Sequence, residues 1–200
     1  MGKVVVSQFM TVDGVIDAPG GGEDFELGGW AFEFDRGDEG NQFKLEELQK
    51  ADALLLGRVT YQGFANAWPS RTDEFGFADR INTMPKYVVS STLDKAEWTN
   101  STVIRDNIPE EVAKLRRQPG GDILINGSPG LVSLLMDHDL IDEIRLMVFP
   151  VVLNAGKRLF KEGHKVARLR LVASRPVGPD GVVILTYRPT SRDGDGTAAQ

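Results

Sequence analysis

Ala53-Leu54-Leu55-Leu56-Gly57-Arg58-Val59-Thr60 and Asp122-Ile123-Leu124-Ile125-Asn126-Gly127-Ser128-Pro129-Gly130 carry one message twice. Each is a short apolar run that stops at glycine and enters a segment with helical character. A strand that turns straight into a helix leaves free N–H groups at the helix start. Those groups, with the positive end of the helix dipole, attract phosphate. One such turn is a weak signal; two in one small chain predict an α/β fold and a ligand with more than one anionic anchor, such as a dinucleotide. Arg58 stands in the first helical turn, where a cation opposes the dipole. A bound phosphate would offset that cost, so Arg58 and Thr60 are candidate anion contacts; the alternative is a solvent-exposed arginine.

Working outward, residues 3–10 predict a first strand, and Asp13-Gly14 predicts the turn after it. Residues 17–42 read as a long loop carrying Trp30, Phe32 and Phe34, which either covers the edge of the core or serves a ligand. Helices are predicted over 41–51, 58–67 and 72–82, and strands over 86–90 and 102–104. Asn107 and Glu110 have capping-box spacing, with the helix running to about Arg117. A strand over 122–126 leads to Ser128 as N-cap and Pro129 as first helical residue. Strands follow at 142–149, 167–177 and 181–188, the last two joined through Gly178-Pro179-Asp180-Gly181. Alternating strands and helices predict a mostly parallel central sheet flanked by helices, closed by an antiparallel C-terminal hairpin. The reading is a single domain over residues 1–188 and a disordered polar tail over 189–200.

Composition narrows the function. The chain has 200 residues, a net charge of −6 and no cysteine. Disulfides, thiolate zinc sites and a cysteine nucleophile are excluded, and a cytoplasmic setting is expected. No apolar run reaches membrane-spanning length, and the N-terminal run reads as a strand rather than a signal peptide. No basic stripe suggests nucleic acid. His138 reads as a partner for a helix C-terminus and His164 as exposed. With no cluster at ligand spacing, no metal is expected. The three-glycine dinucleotide fingerprint, the Walker pattern and the Gly-x-Ser-x-Gly elbow are all missing. Ser90-Ser91-Thr92 follow the strand Tyr87-Val88-Val89, where hydroxyls bind a ribose phosphate or simply turn the chain. Asp13 closes the first strand and either faces a site or serves its turn.

Taken in order, several segments resemble the dihydrofolate-reductase-like family, in particular the C-terminal reductase domain of riboflavin-biosynthesis proteins and their stand-alone relatives. They are Met10 to Ile16, Leu56 to Tyr61, Lys86 to Thr92, Asn126 to Gly130, Leu140 to Arg145 and Phe149 to Phe160. The resemblance implies a dihydrofolate-reductase-like fold and an NADPH-dependent oxidoreductase. It implies that Gly57, Arg58, Val59 and Thr60, with Asn126, Gly127, Ser128 and Gly130, hold the cofactor's phosphates, and that Ser90 and Ser91 lie near its adenosine ribose. Hydride would pass to a C=N or C=O carbon of a small heterocyclic or carbonyl substrate, as in 5-amino-6-(5-phosphoribosylamino)uracil reductase. Asp13 is the expected catalytic residue, with Asp13, Trp30 and Tyr61 at the substrate. Asn126 stands where the pyrimidine reductases carry glutamate, and their Asp-Asp-Pro segment has no counterpart near Gly63 to Pro69. Dihydrofolate reductase places a substrate-binding acid in its first helix, where this chain has Glu46 and Glu47. A homodimer is expected, with residues 142–149 and the hairpin as candidate interface. The alternatives are a non-catalytic NADPH-binding module and a ligand-free structural dimer.

Overall fold

A computed structural model describes residues 2–22 and 24–190; most of the expected tail, residues 191–200, lies outside them. The strands are β1 (Val4–Thr11), β2 (Ala51–Gly57), β3 (Lys86–Val89), β4 (Ser101–Ile104), β5 (Asp122–Ile125), β6 (Glu143–Phe149), β7 (Leu169–Val177) and β8 (Val182–Pro189). Among the described residues they form one sheet in the order β4-β3-β2-β5-β1-β6-β8-β7. The first six run parallel, and β8 pairs antiparallel with both β6 and β7. The expected mixed sheet and closing hairpin are both present.

Strand alternation sorts the core into two faces. Val4, Val6, Leu55, Ile123 and Ile125 point to one side, where they pack with Val112, Leu131, Val132 and Leu135. Those partners belong to α4 (Ile108–Arg117) and α5 (Pro129–Asp137). Val5, Leu54, Leu56 and Leu124 point to the other, against Leu48, Tyr61 and Ile81. These come from α1 (Gly37–Lys50), α2 (Arg58–Ala67) and α3 (Phe77–Thr83). A third cluster joins Trp30 and Ala31 to Met147, Phe149, Val182 and Ile184 on the hairpin side. Each buried Val, Leu or Ile contributes roughly 1.5–3 kcal/mol of transfer free energy, so the two-faced pattern fixes the register of the central strands.

Several element boundaries differ from the sequence reading, each for a local reason. The segment read as loop to residue 42 contains a short 3-10 helix, Trp30–Glu33, and α1 begins at Gly37. Gly37 and Gly40 look like loop residues, but Asp38 and Glu39 suit a first helical turn, and the Gly37 N–H donates to Asp35 Oδ1 at 2.7 Å. The helix expected from residue 72 starts at Phe77. Before it, the Asp73 carboxylate accepts from the N–H groups of Phe75, Phe77 and Ala78 at 2.7–2.9 Å. Asn107 occupies the N-cap of α4 with a positive φ of 49° and makes no side-chain cap, so the capping box does not form.

Candidate functional site

The C-terminal ends of β3, β2, β5 and β1 lie side by side along one sheet edge, which aligns Ser90, Gly57 and Asn126. The two glycine turns are locked together there. The Gly57 N–H donates to Ser128 Oγ at 2.9 Å, and the Ser128 N–H donates to Thr60 Oγ1 at 3.1 Å. Ser128 is a cap by position only, because its φ is 56° and its hydroxyl serves the neighbouring turn instead. Gly127, at φ 54°, approaches Thr60 so closely that a Cβ would lie 2.6 Å from Oγ1. The Gln8 amide clamps this glycine from β1, donating to its carbonyl and accepting its N–H, both at 2.9 Å. The hydroxyls of Thr60 and Ser128 are thus committed to the fold. What faces outward is backbone: helical geometry leaves the first-turn N–H groups of Arg58, Val59, Thr60 and Gly130 without intrahelical partners. Arg58 is exposed and donates to Gln62 Oε1 at 3.1 Å, within reach of an anion over α2. Ser90 is buried, and its Oγ accepts the N–H groups of Thr92 and Leu93, which closes a turn; Ser91 is exposed.

Beside the turns, over β1 and β5, a cavity of about 610 Å³ opens between α1 and α2. Phe9, Phe64, Trp68, Phe77, Leu48 and Ile81 make its apolar walls, and the Pro19-Gly20-Gly21-Gly22 segment and Phe32 border it. Asn126 belongs to both features: it lines the cavity and opens the second turn, its Nδ2 donating to the Ser7 carbonyl at 2.8 Å. Ser7, Lys44 and Glu47 form one polar cluster of the lining. Glu47 is 3% exposed; its Oε2 accepts from Ser7 Oγ at 2.8 Å and from Lys44 Nζ at 2.6 Å. Lys44 Nζ also donates to Ser7 Oγ at 2.5 Å. On the far side, Arg145 Nη1 lies 3.4 Å from Glu47 Oε1. A cavity of this size with converging polar groups suits a small flat ligand.

The structure gathers Gly57 to Thr60, Asn126, Gly127, Ser128 and Gly130 at one place, and places three other expected residues elsewhere. Trp30 is 1% exposed, packed edge-on against Phe149, with its indole N–H on the Asp17 carbonyl at 2.9 Å. Tyr61 is buried on the inner face of α2, its hydroxyl accepting the Trp98 N–H at 2.9 Å. Asp13 does not line the cavity. Its carboxylate accepts from Thr11 Oγ1 at 2.6 Å, Leu153 N at 3.3 Å and Asn154 N at 3.0 Å, tying the β1 turn to the segment after β6. The Thr11 hydrogen bond, opposed by burial and aided by the two backbone N–H groups, holds its carboxyl below the ordinary value. Such an acid is a poor proton donor near neutrality. The buried acid of the cavity is Glu47, while Glu46 is exposed and meets Gln42 Nε2 at 3.1 Å and Lys50 Nζ at 3.9 Å. Helical position distinguishes the two, since Glu47 shares a side of α1 with Lys44 and Leu48.

Among the described residues, no group of three or more His, Asp or Glu side chains is placed to hold a metal ion. No described helix is long and apolar enough to cross a membrane.

The family model for the RibD C-terminal domain matches residues 2–183. YyaP of Bacillus subtilis (strain 168), a protein named as uncharacterized, is 30% identical over 188 residues, which is 92% of this chain and 94% of that protein. A crystal structure from Shewanella sp. PV-4, provisionally named as a riboflavin biosynthesis protein, superposes with a TM-score of 0.73 at 19% identity, covering 96% of this chain and 100% of that one. Dihydrofolate reductase from Enterococcus faecalis, in complex with NADP(H) and RAB-propyl, superposes with a TM-score of 0.60 at 18% identity, over 95% of this chain and 98% of that one. At these identities the two structures speak for the fold.

Proposed function

The chain belongs to the RibD C-terminal domain family, and from that premise we propose that it is an NADPH-dependent reductase of a small heterocyclic or carbonyl substrate. The observation that carries the reading is the shared residue Asn126, which joins the paired backbone turns to the cavity. The turns fit a diphosphate: they offer unpartnered N–H groups, and the glycine at 127 keeps the two loops in contact. Bound NADPH would supply the hydride. The protein's part is positioning. Arg58 and the helix starts would grip phosphates, and Ser91 lies at the neighbouring strand end, where a ribose phosphate would fall. The aromatic walls exclude water from the reacting face. Glu47 and Ser7 orient a polar edge of the substrate, and Lys44 holds protons at Nζ beside them. The cysteine-free sequence supports a cytoplasmic setting.

Titration with NADPH while following Trp68 fluorescence tests the reading, since Trp68 lines the cavity whereas Trp30 and Trp98 are buried in packed clusters. Saturable quenching is expected with Kd well below about 1 mM. Arg58→Ala should weaken it roughly fivefold or more, the worth of one partly exposed charge contact. Lys50→Ala, at a side chain 67% exposed beside the N-terminal end of β2, should leave it unchanged. Absence of saturable binding in the wild type removes the proposal.

A further inference from the structure

Asn126-Gly127 is the one Asn-Gly pair in the chain. Such a pair is chemically fragile, because the glycine has no Cβ to keep its nitrogen away from the asparagine carboxamide. The glycine nitrogen loses its proton to hydroxide and attacks the asparagine Cγ. Nδ2 leaves as ammonia and a cyclic imide forms. Water then opens the ring at either carbonyl, which leaves aspartate or its β-linked isomer. The fold cannot escape the hazard by replacing the glycine. Gly127 has a φ of 54°, and a Cβ on it would lie 2.6 Å from Thr60 Oγ1. The asparagine is equally fixed. Its Nδ2 donates to the Ser7 carbonyl at 2.8 Å, where a carboxylate would have no hydrogen to give. Asn126 lines the cavity, so the acid would add a negative charge there, and the β-linked isomer would lengthen the turn that Thr60 and Ser128 lock. Two successive residues of β1 hold the two reacting ends. The Ser7 carbonyl holds the carboxamide. Gln8 holds the nucleophile: its Oε1 accepts the Gly127 N–H at 2.9 Å, while its Nε2 donates to the Gly127 carbonyl at 2.9 Å. Gln8 is 5% exposed, so this grip comes from inside the fold. Cyclisation must first strip the Gly127 N–H of its acceptor, and a polar group so stripped in a buried setting is expensive to leave unpaired.

We propose that Asn126-Gly127 is a deamidation site and that the Gln8 amide is the guard that keeps it closed in the folded chain. Mass spectrometry of the peptide that carries Asn126, from full chain kept in mildly alkaline buffer, tests it. Conversion is read from the mass gain of an acid formed from an amide, and chromatography separates aspartate from its isomer. In the folded wild type, conversion should be at least about tenfold slower than in the same protein unfolded in urea at the same pH. Gln8→Met, which keeps the length of the side chain and removes both bonds, should lose most of that protection while circular dichroism shows it folded. Gln8→Glu, which keeps an acceptor for the Gly127 N–H, should retain part of it. Conversion of the folded wild type at the urea rate overturns the proposal, and so does a folded Gln8→Met that converts as slowly as the wild type. Where Gln8→Met does not fold, hydrogen exchange at the Gly127 N–H of the wild type decides. Slow exchange supports the guard, and exchange at the rate of an open loop overturns it.

Discussion

Lys86 ends inside the core. Its residue is 0% exposed, its Nζ donates to the carbonyls of Asn82, Met84 and Thr99 at 2.7, 2.9 and 3.0 Å, and it lies 4.2 Å from the Trp98 ring. Burial pushes its pKa down from 10.5 to about 8. The sign follows from proton counting. Between these values the unfolded chain is protonated and the folded one is losing its proton, so stability rises with pH. Urea unfolding at about pH 7 and about pH 9.5 should show the wild type gaining about 2 kcal/mol relative to Lys86→Met. A constant difference between the two proteins would mean that the ammonium keeps its ordinary pKa. Asp13 works in the opposite sense. Its folded pKa is depressed, so its contribution is present above 3.8 and lost as pH falls through the lower folded value. Asp13→Asn should therefore lower stability by about 1–2 kcal/mol at neutral pH, with the deficit disappearing in strong acid. NADPH affinity should stay as it was, because the side chain ties two loops together outside the cavity.

At the scale of elements, the two strand-to-helix turns behave as one unit, since each hydroxyl that a cap would use is spent on the other turn. Gly127→Ala tests this. Its Cβ would meet Thr60 Oγ1 at 2.6 Å and Cγ2 at 3.0 Å, at a backbone φ of 54°. A destabilisation of about 1–3 kcal/mol is expected from strain and clash together. Thr60→Ala added to it should recover the clash but not the strain. Thermal unfolding of the single and double variants measures both parts, and strictly additive losses would show that the turns are independent. The turns were legible because apolar runs ending on glycine report their own geometry. The start of α1 was not: Gly37 and Gly40 break the helical pattern, and only the packed structure shows that Gly40 makes room for Arg36. The same holds for Asn107 and Ser128, whose type suits a cap but whose positive φ turns the side chain away from that task.

Across the whole molecule, the cavity's buried acid depends on a chain of charges that crosses the sheet. Arg145, opposite Ser7 in the β1–β6 register, lies 3.4 Å from Glu47, 2.6 Å from Glu143 and 3.7 Å from Asp122. Glu143 is also met by Lys3 and Arg188, both at 3.2 Å. Burial pushes the Glu143 carboxyl up, while Arg145 and Lys3 together bring it below its ordinary value. Burial likewise opposes the Arg145 charge, and Glu47, Glu143 and Asp122 more than restore it. None of this was readable in the chain, because Ser7, Glu47, Asp122 and Arg145 are scattered in sequence and meet only once β5, β1 and β6 align beneath α1. Trp30 and Tyr61 were misplaced for the related reason that an aromatic residue's type does not say which side of its segment faces the core. The network makes a definite claim. Removing Arg145 takes the ion-pair partner from Asp122 and leaves Glu47 with Lys44 and Glu143 with the half-exposed Lys3 and Arg188, a loss of counter-charge in a buried set that costs roughly 3–5 kcal/mol. Arg145→Met should therefore destabilise by that amount in urea unfolding. Adding Glu47→Gln should recover part of the loss, because one of the carboxylates that lost Arg145 becomes neutral. If the double variant is as unstable as the sum of the two single ones, Arg145 and Glu47 are independent, and the acid in the cavity is held by Ser7 and Lys44 alone.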